Sequence, residues 1–496
     1  MTLLLALFAA GVVLELLPYL GGLLWRGRKV CAALALVATA FAGGFLLVAH
    51  PGVWAVLIGV VSLYRVGNNV RVLQGRMHEH YLRAATIRTS LVLIGVQIVL
   101  SGAAHIRIDG SVAWLAVALL QVAVAVALYI STQRRLRRTA WPHQASGIAD
   151  SELPTLTVAI PARNETDDLQ ACLESLVACN YAKLEILVLD DCSQTKRTPE
   201  IIRGFAHDGV RFLEGEPPQE TWLAKNQAYE HLAREASGQY ILFCGVDVRF
   251  GSDSLRQVVA MLQHRHKKML SLLPRRTNTV QRTLALAQSM RYAWELVPPR
   301  RLFRRPPVLS TCWVIEKTAL DAAGGFAAAK RSIVPEAHFA RTLVKTDAYS
   351  FMRANPTLGI ESTKPAKEQG ETAVRMRYPQ LHKRPENVLL LTLLYGVLFL
   401  LPFCMVVLGF FVTIGLAAHI LAAAAVLLLA VTYGKVVAAT RTGNSLLSLV
   451  EVPIAVVYDI ALLHTSMWQY EFSVVEWKGR NVCIPAMHVI PHLPKI

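Results

Sequence analysis

The sequence predicts an α/β domain, a doubly wound and mostly parallel sheet, inserted between N- and C-terminal groups of membrane-spanning α-helices. Three observations predict it. The 496 residues are 54% hydrophobic and only 17% charged, with a mean hydropathy of +0.40, too apolar for a wholly water-exposed chain of this length. The apolar residues gather in long runs at 2–24, 31–49, 88–104 and 113–131, and again at 388–413, 415–435 and 446–467. Between them, from 153 to 385, short β-rich runs alternate with helical periodicity, the pattern of strands joined by crossover helices.

About 20 apolar helical residues cross a bilayer core, and each long run meets or approaches that length. The shorter run at 53–64 reads equally as a brief span or an interfacial piece. The first run lacks a basic leader and a small-residue cleavage site, so it reads as a retained span rather than a signal peptide. The run at 446–467 contains Glu451 and Asp459, which favour a re-entrant or interfacial placement over a crossing. Basic residues mark the cytosolic side of a membrane. They crowd "RGRK" (26–29), 65–88 and "QRRLRR" (133–138), whereas "HPG" (50–52) and the turn near Asp109 have few. The expected plan is a multi-pass protein of a bacterial inner or plasma membrane: an N-terminal bundle of four or five spans over 1–132, a cytosolic domain over 150–387, transmembrane or re-entrant helices over 388–470, and a tail over 471–496. The net charge of +17 sits beside the spans and in "PPRRLFRRPP" (298–307), where anionic headgroups attract it. No groove-reading motif accompanies it, which excludes nucleic acid as the expected partner. The eight cysteines form no CxxC pair and read as reduced packing residues.

Within the middle segment, "TLTVAIP" (155–161) is a strand. "TDDLQACLESLVA" (166–178) follows as a helix, with Thr166 at its cap and Leu169, Cys172, Leu173 and Leu176 on one face. "LEILVLDD" (184–191) is a second strand, and "TPEIIRGFAH" (198–207) a helix with Thr198 at the cap and proline at its first position. A strand at 210–213, a helix at 222–236, a strand at 239–245 and a helix around 254–265 continue the alternation. Ligands of such sheets collect at the carboxyl ends of the strands. There stand Asp190 and Asp191 in "LDD", Asp247 in "GVD", and the "PARNE" stretch at 161–165. One such acid is explained by capping alone; together the three loops form a crescent suited to a nucleotide.

The stretches "TVAIPARNETDDLQACLESL", "EILVLDDCSQ", "WLAKNQA", "YILFCGVDVRF" and "DAAGGFAAAKRSIVPEAHFARTL" resemble, in that order, the family 2 glycosyltransferases of GT-A fold. The nearest likeness is to lipid-modifying membrane members such as ceramide glucosyltransferase and the hopanoid-associated groups. The resemblance covers residues 153–385, with a shorter echo in "VEWKGRN" (475–481). It implies that Ala162, Arg163 and Glu165 line the nucleotide pocket, that Asp190 and Asp191 meet the base and ribose, and that Lys225 lies by the donor diphosphate. It implies that Asp247 is the last acid of the family's DxD, holding Mg²⁺ or Mn²⁺ against that diphosphate, although Gly245 replaces the first acid. Glu336 takes the position of the general base, with Pro335 where relatives have glutamate. Arg375, Arg377 and Tyr378 fall at the Arg-Trp motif of the nucleotide-sugar site, the two arginines to contact the diphosphate and Tyr378 in the tryptophan's place, while Val374 breaks the pattern of processive synthases. The apolar and basic stretch 283–307 reads as an interfacial helix and loop near an acceptor headgroup. His78 and His80, two residues apart, do not share a helical face. The implied activity is inverting transfer of one sugar from a nucleotide diphosphate, UDP foremost, to a lipid or lipid-linked hydroxyl. A catalytically inactive scaffold or nucleotide-sugar sensor, and a processive polysaccharide synthase, are the alternatives.

Overall fold

The computed structural model describes residues 2–20, 25–49, 53–74, 79–104, 110–142, 149–219, 221–276, 286–298, 306–411, 413–440, 447–473 and 475–482. Residues 50–52, Asp109, His78, 283–285, 299–305 and most of the tail lie outside them, as does the side chain of His80.

Helices α1 (Thr2–Leu16), α2 (Arg28–Ala49), α3 (Val53–Gln74), α4 (Glu79–Ala104) and α5 (Gly110–Arg138) form the N-terminal group. Segments of α2 to α5 are long and apolar enough to cross a membrane, and α1 is a shorter apolar helix. The run at 53–64 is only the first half of α3. Its second half turns Arg65, Asn68, Asn69 and Arg71 into the bundle, where all four are buried. Burial is tolerated because each charge finds a partner. Arg65 pairs with Glu15 at 3.2 Å and donates to Gln97 Oε1 at 2.9 Å, and Asn69 donates to Glu15 at 2.8 Å.

The middle domain runs β1 (Leu156–Ala162), α6 (Asp167–Val177), β2 (Leu184–Asp190), α7 (Arg197–Gly204), β3 (Val210–Glu214), α8 (Ala224–Glu235), β4 (Tyr240–Cys244), β5 (Val248–Arg249) and α9 (Ser254–His264). It continues through β6 (Met269–Leu273), β7 (Arg275–Arg276), α10 (Leu286–Leu296), β8 (Cys312–Glu316), α11 (Lys317–Ala322), α12 (Glu336–Val344), β9 (Tyr349–Arg353) and β10 (Glu361–Ser362). The main sheet has seven strands in the order β3-β2-β1-β4-β8-β6-β9. All neighbours are parallel except β8, which is antiparallel to both β4 and β6. The sheet is thus mixed, with one reversed strand that the βαβ alternation did not foretell. β5, β10 and β7 make a second, small sheet. Thr166 stands at the start of α6 as expected, without a side-chain capping bond. Thr198 does not cap α7, which begins one residue earlier; its hydroxyl instead donates to the Glu165 carbonyl and accepts from the Glu165 amide, both at 2.9 Å.

One face of the sheet rests on an aromatic stack. Trp313 lies 4.5 Å from Phe243 and 6.0 Å from Phe339, ring centre to ring centre, with Tyr229 and Phe326 edge-on. This stack fixes α8 and α12 against β4 and β8, and so sets where their first turns point.

Helices α13 (Ala366–Gln380), α14 (Pro385–Leu408), α15 (Leu416–Thr440) and α16 (Ser448–Phe472) complete the fold, followed by the hairpin β11 (Glu476–Trp477) and β12 (Arg480–Asn481). α14 widens into a π-turn at Gly396–Leu400 just before Pro402, relieving the clash of a proline ring with the preceding turn. α16 is one continuous helix. α15 reaches the α/β domain at its end, where Arg353 donates to the Ala439 carbonyl at 2.9 Å. α16 starts eight residues after α15 ends, packs along α13, and delivers the hairpin back to the α/β domain, so both its ends lie on that domain's side.

Trp313→Ala removes the centre of the aromatic stack and is expected to lower stability by about 3–5 kcal/mol, read from denaturant unfolding of the purified full chain.

Candidate active site

A cavity of about 400 Å³ opens at the carboxyl ends of β1 and β4. The buried run Tyr240–Cys244 ends at its floor, and the chain turns through Gly245 and Val246 to present Asp247. The small sheet holds this acid. Ser362 donates to Asp247 Oδ2 at 2.9 Å, and the Thr363 amide donates to its carbonyl at 2.9 Å. A Cβ at position 245 would stand 2.5 Å from Asp247 Oδ1. The missing first acid and the orientation of the remaining one are therefore a single feature: the carboxylate occupies the space a side chain at 245 would need.

Four cations from four separate elements converge on the same cavity: Lys225 in the first turn of α8, Arg291 on α10, Lys364 after β10 and Arg375 on α13. Burial pulls the half-buried Lys225 ammonium down to about 8; the Glu336 carboxylate counters this, while Arg375, Lys364 and Arg291 push it lower still. Burial likewise lowers Lys364, with Asp247 opposing and Arg291 and Arg375 reinforcing. Arg375 falls to about 10, first through burial and then through the charge of Arg291. Among the described residues, Arg291 Nε and Nη2 are buried without a hydrogen-bond partner. Two of the nearby acids are already engaged: Glu165 pairs with Lys478, and Asp168 with Arg249 at 2.7 Å. Like charges so gathered repel one another, and a polyanion relieves the repulsion.

The far end of the cavity is closed by the C-terminal hairpin. Its turn, Lys478–Gly479, is left-handed at both residues, with φ of 47° and 74°, as two-residue hairpin turns require. Arg480 pairs with Asp191 at 2.6 Å, and Arg163 donates to the carbonyls of Asp191 at 2.7 Å and Lys478 at 3.1 Å. Trp477 lies under the Arg375 guanidinium at 5.3 Å. Ala162 is wholly buried and contributes its carbonyl, which accepts from the Asp191 amide at 2.7 Å. Asp190 accepts from the Ser193 amide and hydroxyl, bracing the loop after β2.

Of the residues expected from sequence, the structure gathers Glu165, Lys225, Asp247 and Arg375 on the cavity wall. Asp191 lines an adjoining cleft of about 210 Å³ with Gln219, Trp222 and His231. Ala162, Arg163 and Asp190 stand behind the wall as supports rather than as lining groups. One expectation needs correction. Arg377 and Tyr378 do not face the cavity: Arg377 is buried in an ion pair with Asp459 and over the Trp294 ring, and the Tyr378 hydroxyl donates to Glu471. Residues two apart on a helix point to opposite faces, so once Arg375 faces the cavity Arg377 must face α16. Glu336, at the first turn of α12, is fully buried and lies outside the lining; its charge reaches the cavity through Lys225. Arg291, Lys364 and the hairpin were missed. The alternation about the Lys-Gly pair in "VEWKGRN" was the available signal for the hairpin.

A hard divalent cation takes one or two carboxylates together with phosphate oxygens and water. Asp247 offers one carboxylate, and no cluster of three or more His, Cys, Asp or Glu side chains occurs among the described residues. The donor set fits an ion completed by a diphosphate, not one held in a ready-made cage.

Fold and site together define an α/β domain with a cation-rich cavity at the carboxyl edge of its sheet. Within that class, residues 157–333 match the family model described as Glycosyl transferase family 2. Glycosyltransferase AglE of Haloferax volcanii is 35% identical over 101 residues, 20% of this chain and 32% of its own length. The uncharacterized glycosyltransferase YibD of Escherichia coli is 33% identical over 94 residues, 18% of this chain and 26% of its own. The match thus spans about a third or less of either relative. Among solved structures, the mannosyltransferase PcManGT of Pyrobaculum calidifontis, in complex with GDP-Man and Mn²⁺, aligns over 72% of this chain and 99% of its own at 16% identity and a TM-score of 0.43. TarS of S. aureus aligns over 64% and 91% at 13% identity and a TM-score of 0.31.

Arg375→Ala is expected to weaken UDP binding about tenfold, the loss of a charged hydrogen bond, in isothermal titration. Arg377→Ala is expected to leave UDP affinity within about twofold while lowering stability by about 3 kcal/mol, because it strands a buried carboxylate.

The lowered Lys225 value sets a pH dependence. Below about 8 the ammonium is charged and attracts an anion; above it, binding must first recover a proton. UDP affinity is therefore expected to fall above pH 8 by up to about tenfold per unit, and Lys225→Arg to flatten that fall.

Proposed function

We propose that the protein is a multi-pass membrane hexosyltransferase. It moves one sugar from a nucleotide diphosphate donor, a UDP-sugar foremost, to a lipid or lipid-linked hydroxyl at the cytosolic leaflet, with inversion at the anomeric carbon. The observation that carries this reading is the convergence of Lys225, Arg291, Lys364 and Arg375 beside Asp247 in a cavity of about 400 Å³, within the α/β domain whose residues 157–333 match the family 2 glycosyltransferase model. The seven helices long and apolar enough to span support residues 1–132 and 388–470 as its membrane parts. They carry the site at the membrane surface, where anionic lipid rather than nucleic acid meets the positive charge.

The donor's nucleoside end lies towards Glu165, Asp190 and Asp191, with Ala162 and Arg163 fixing the loop. Its diphosphate lies among the four cations. Asp247 would hold Mg²⁺ or Mn²⁺, which would supply positive charge against the departing nucleotide. Lys225 moves from Glu336 towards the diphosphate, and this uncovers the Glu336 carboxylate to accept the acceptor's hydroxyl proton. Arg375 and Arg291 hold the leaving group, while Arg377 and Tyr378 act at a distance by anchoring α13. Displacement in one step, with the acceptor attacking opposite the leaving diphosphate, inverts the centre. The burial of Glu336 favours one second reading, a nucleotide-sugar sensor that binds donor without transferring it.

The test incubates the purified full chain with labelled nucleotide sugars, Mn²⁺ and a bacterial lipid extract. Wild type is expected to label lipid, and chelation to stop it. Glu336→Gln is expected to lose at least about a hundredfold in rate, the scale of general-base catalysis, with UDP affinity retained, and Asp247→Asn to lose the Mn²⁺ dependence of UDP binding. Equal labelling by wild type and Glu336→Gln removes Glu336 as the base; donor binding without labelling by any sugar selects the sensor.

A further inference from the structure

A second cavity, of about 420 Å³ and almost wholly apolar, lies between α5, α10, α14, α15 and α16. Its volume falls in the range of about 300–1,000 Å³ typical of small-molecule sites. Its walls come from helices long and apolar enough to lie in a membrane, among them Leu128 of α5, Leu394 of α14 and Leu429 of α15. An apolar cavity of this kind stays dry and takes an apolar guest.

Helix α10 joins this cavity to the candidate active site. Met290, Ala293, Trp294 and Val297 recur at the spacing of one helical face and line the apolar cavity. Arg291, one residue and about 100° round from Met290, lines the cation-rich cavity instead. Tyr292 and Leu296 are buried against the aromatic side of the sheet, and Glu295 accepts from the Val308 amide at 3.1 Å, so α10 is held by the α/β domain itself. A single, firmly seated helix is therefore the partition between a polar reaction chamber and a hydrocarbon-lined one.

We infer that the apolar cavity binds a hydrocarbon chain of the acceptor lipid, with Met290, Ala293, Trp294 and Val297 as its inner wall. A chain seated there brings its headgroup out at the level of α10, beside Arg291 and the donor. This rests on the reading of the protein as a sugar transferase acting on a lipid, and adds that the chain, not the headgroup alone, is recognised. Acceptor selection then depends on chain length and saturation, because the guest must fill a space of fixed walls. Water entering with the headgroup is limited by the same apolar lining, which protects the donor from hydrolysis.

The inference is tested with cavity-filling substitutions on two different walls, Ala293→Trp and Ala127→Trp. Both are expected to keep UDP affinity within twofold and to raise the KM for extracted lipid at least tenfold. Chain-truncated acceptors are expected to suffer a similar loss with wild type. An independent reading needs no variant and no turnover: wild-type protein in vesicles of phosphatidylglycerol, whose palmitoyl chain carries a mid-chain diazirine, is irradiated and digested. Cross-links at 290–297, competed by the lipid extract, support the chain site even if no sugar is ever transferred, in which case the transferase reading alone fails. Cross-links confined to outer helix surfaces, or unchanged lipid KM in both Trp variants, overturn it.

Discussion

Four cationic side chains confined to one cavity repel one another, and the rest of the molecule is arranged so that they cannot move apart. Lys225 is carried by α8, Arg291 by α10, Lys364 by the segment after β10 and Arg375 by α13. α8 is pinned by the aromatic stack through Tyr229, and α10 by its contacts with the sheet. α13 is pinned by Arg377 and Tyr378, which bind Asp459 and Glu471 of α16. The segment carrying Lys364 is held by the Thr363 amide, which donates to the Asp247 carbonyl at 2.9 Å. Negative charge placed among them would relieve that repulsion, and because the cations are already held in place it would do so without reorganising the protein.

The half of the sheet that frames this cavity was legible in the sequence. β1, β2, β3 and β4, with the helices between them, stand within three residues of their expected limits, because buried strands read as apolar runs and the helices carry one-sided periodicity. The acid after β4 followed from the same pattern, since strand ends are where parallel sheets hold ligands. What escaped was set by contacts distant in sequence. β6, β8 and β9 are apolar runs whose pairing partners lie up to 80 residues away, and nothing local announces that β8 runs backwards. Arg291 and Lys364 acquire meaning only when folding brings their elements beside Asp247. The split between Arg375 and Arg377, by contrast, was available from helical geometry alone: the resemblance supplied both arginines, and the 3.6-residue turn allows only one of them to face the cavity.

Charges inside the apolar helices follow a consistent logic. Arg71 of α3 pairs with Glu471 of α16 at 2.6 Å, and that glutamate also receives the Tyr378 hydroxyl. Arg88 of α4 pairs with Glu386 at the start of α14 at 2.8 Å. Burying any one of these groups alone is costly, and pairing them in a unique geometry specifies how the N-terminal helices dock onto the C-terminal ones. The chain of contacts runs from α3 through Glu471 and Tyr378 to α13, and two residues before Tyr378, at Met376, α13 enters the cavity wall. Glu451 and Asp459 gave the sequence its reason for keeping α16 from crossing. Asp459 proves to be the partner of Arg377, so the acid that looked like an obstacle to membrane insertion is the group that fixes the helix beside the site.

The hairpin gives the cavity a polarity. At its end Glu165 and Asp191 are compensated by Lys478 and Arg480, whereas at the other end Lys225, Arg291, Lys364 and Arg375 stand with Asp247 and Glu368 and no ion pair is formed among them in the described residues. A ligand that is neutral and polar at one end and highly anionic at the other enters in one orientation only, with its anionic part towards Arg291 and α10. In the proposed reaction that orientation carries the diphosphate and the sugar to the side of the cavity nearest the apolar chamber. Reversal would take the anionic part away from Arg291, Lys364 and Arg375, which stand close enough to lower one another's pKa, and towards cations already paired with Glu165 and Asp191. In the proposed reaction the orientation of the donor is in this way a consequence of where charge is already balanced and where it is not.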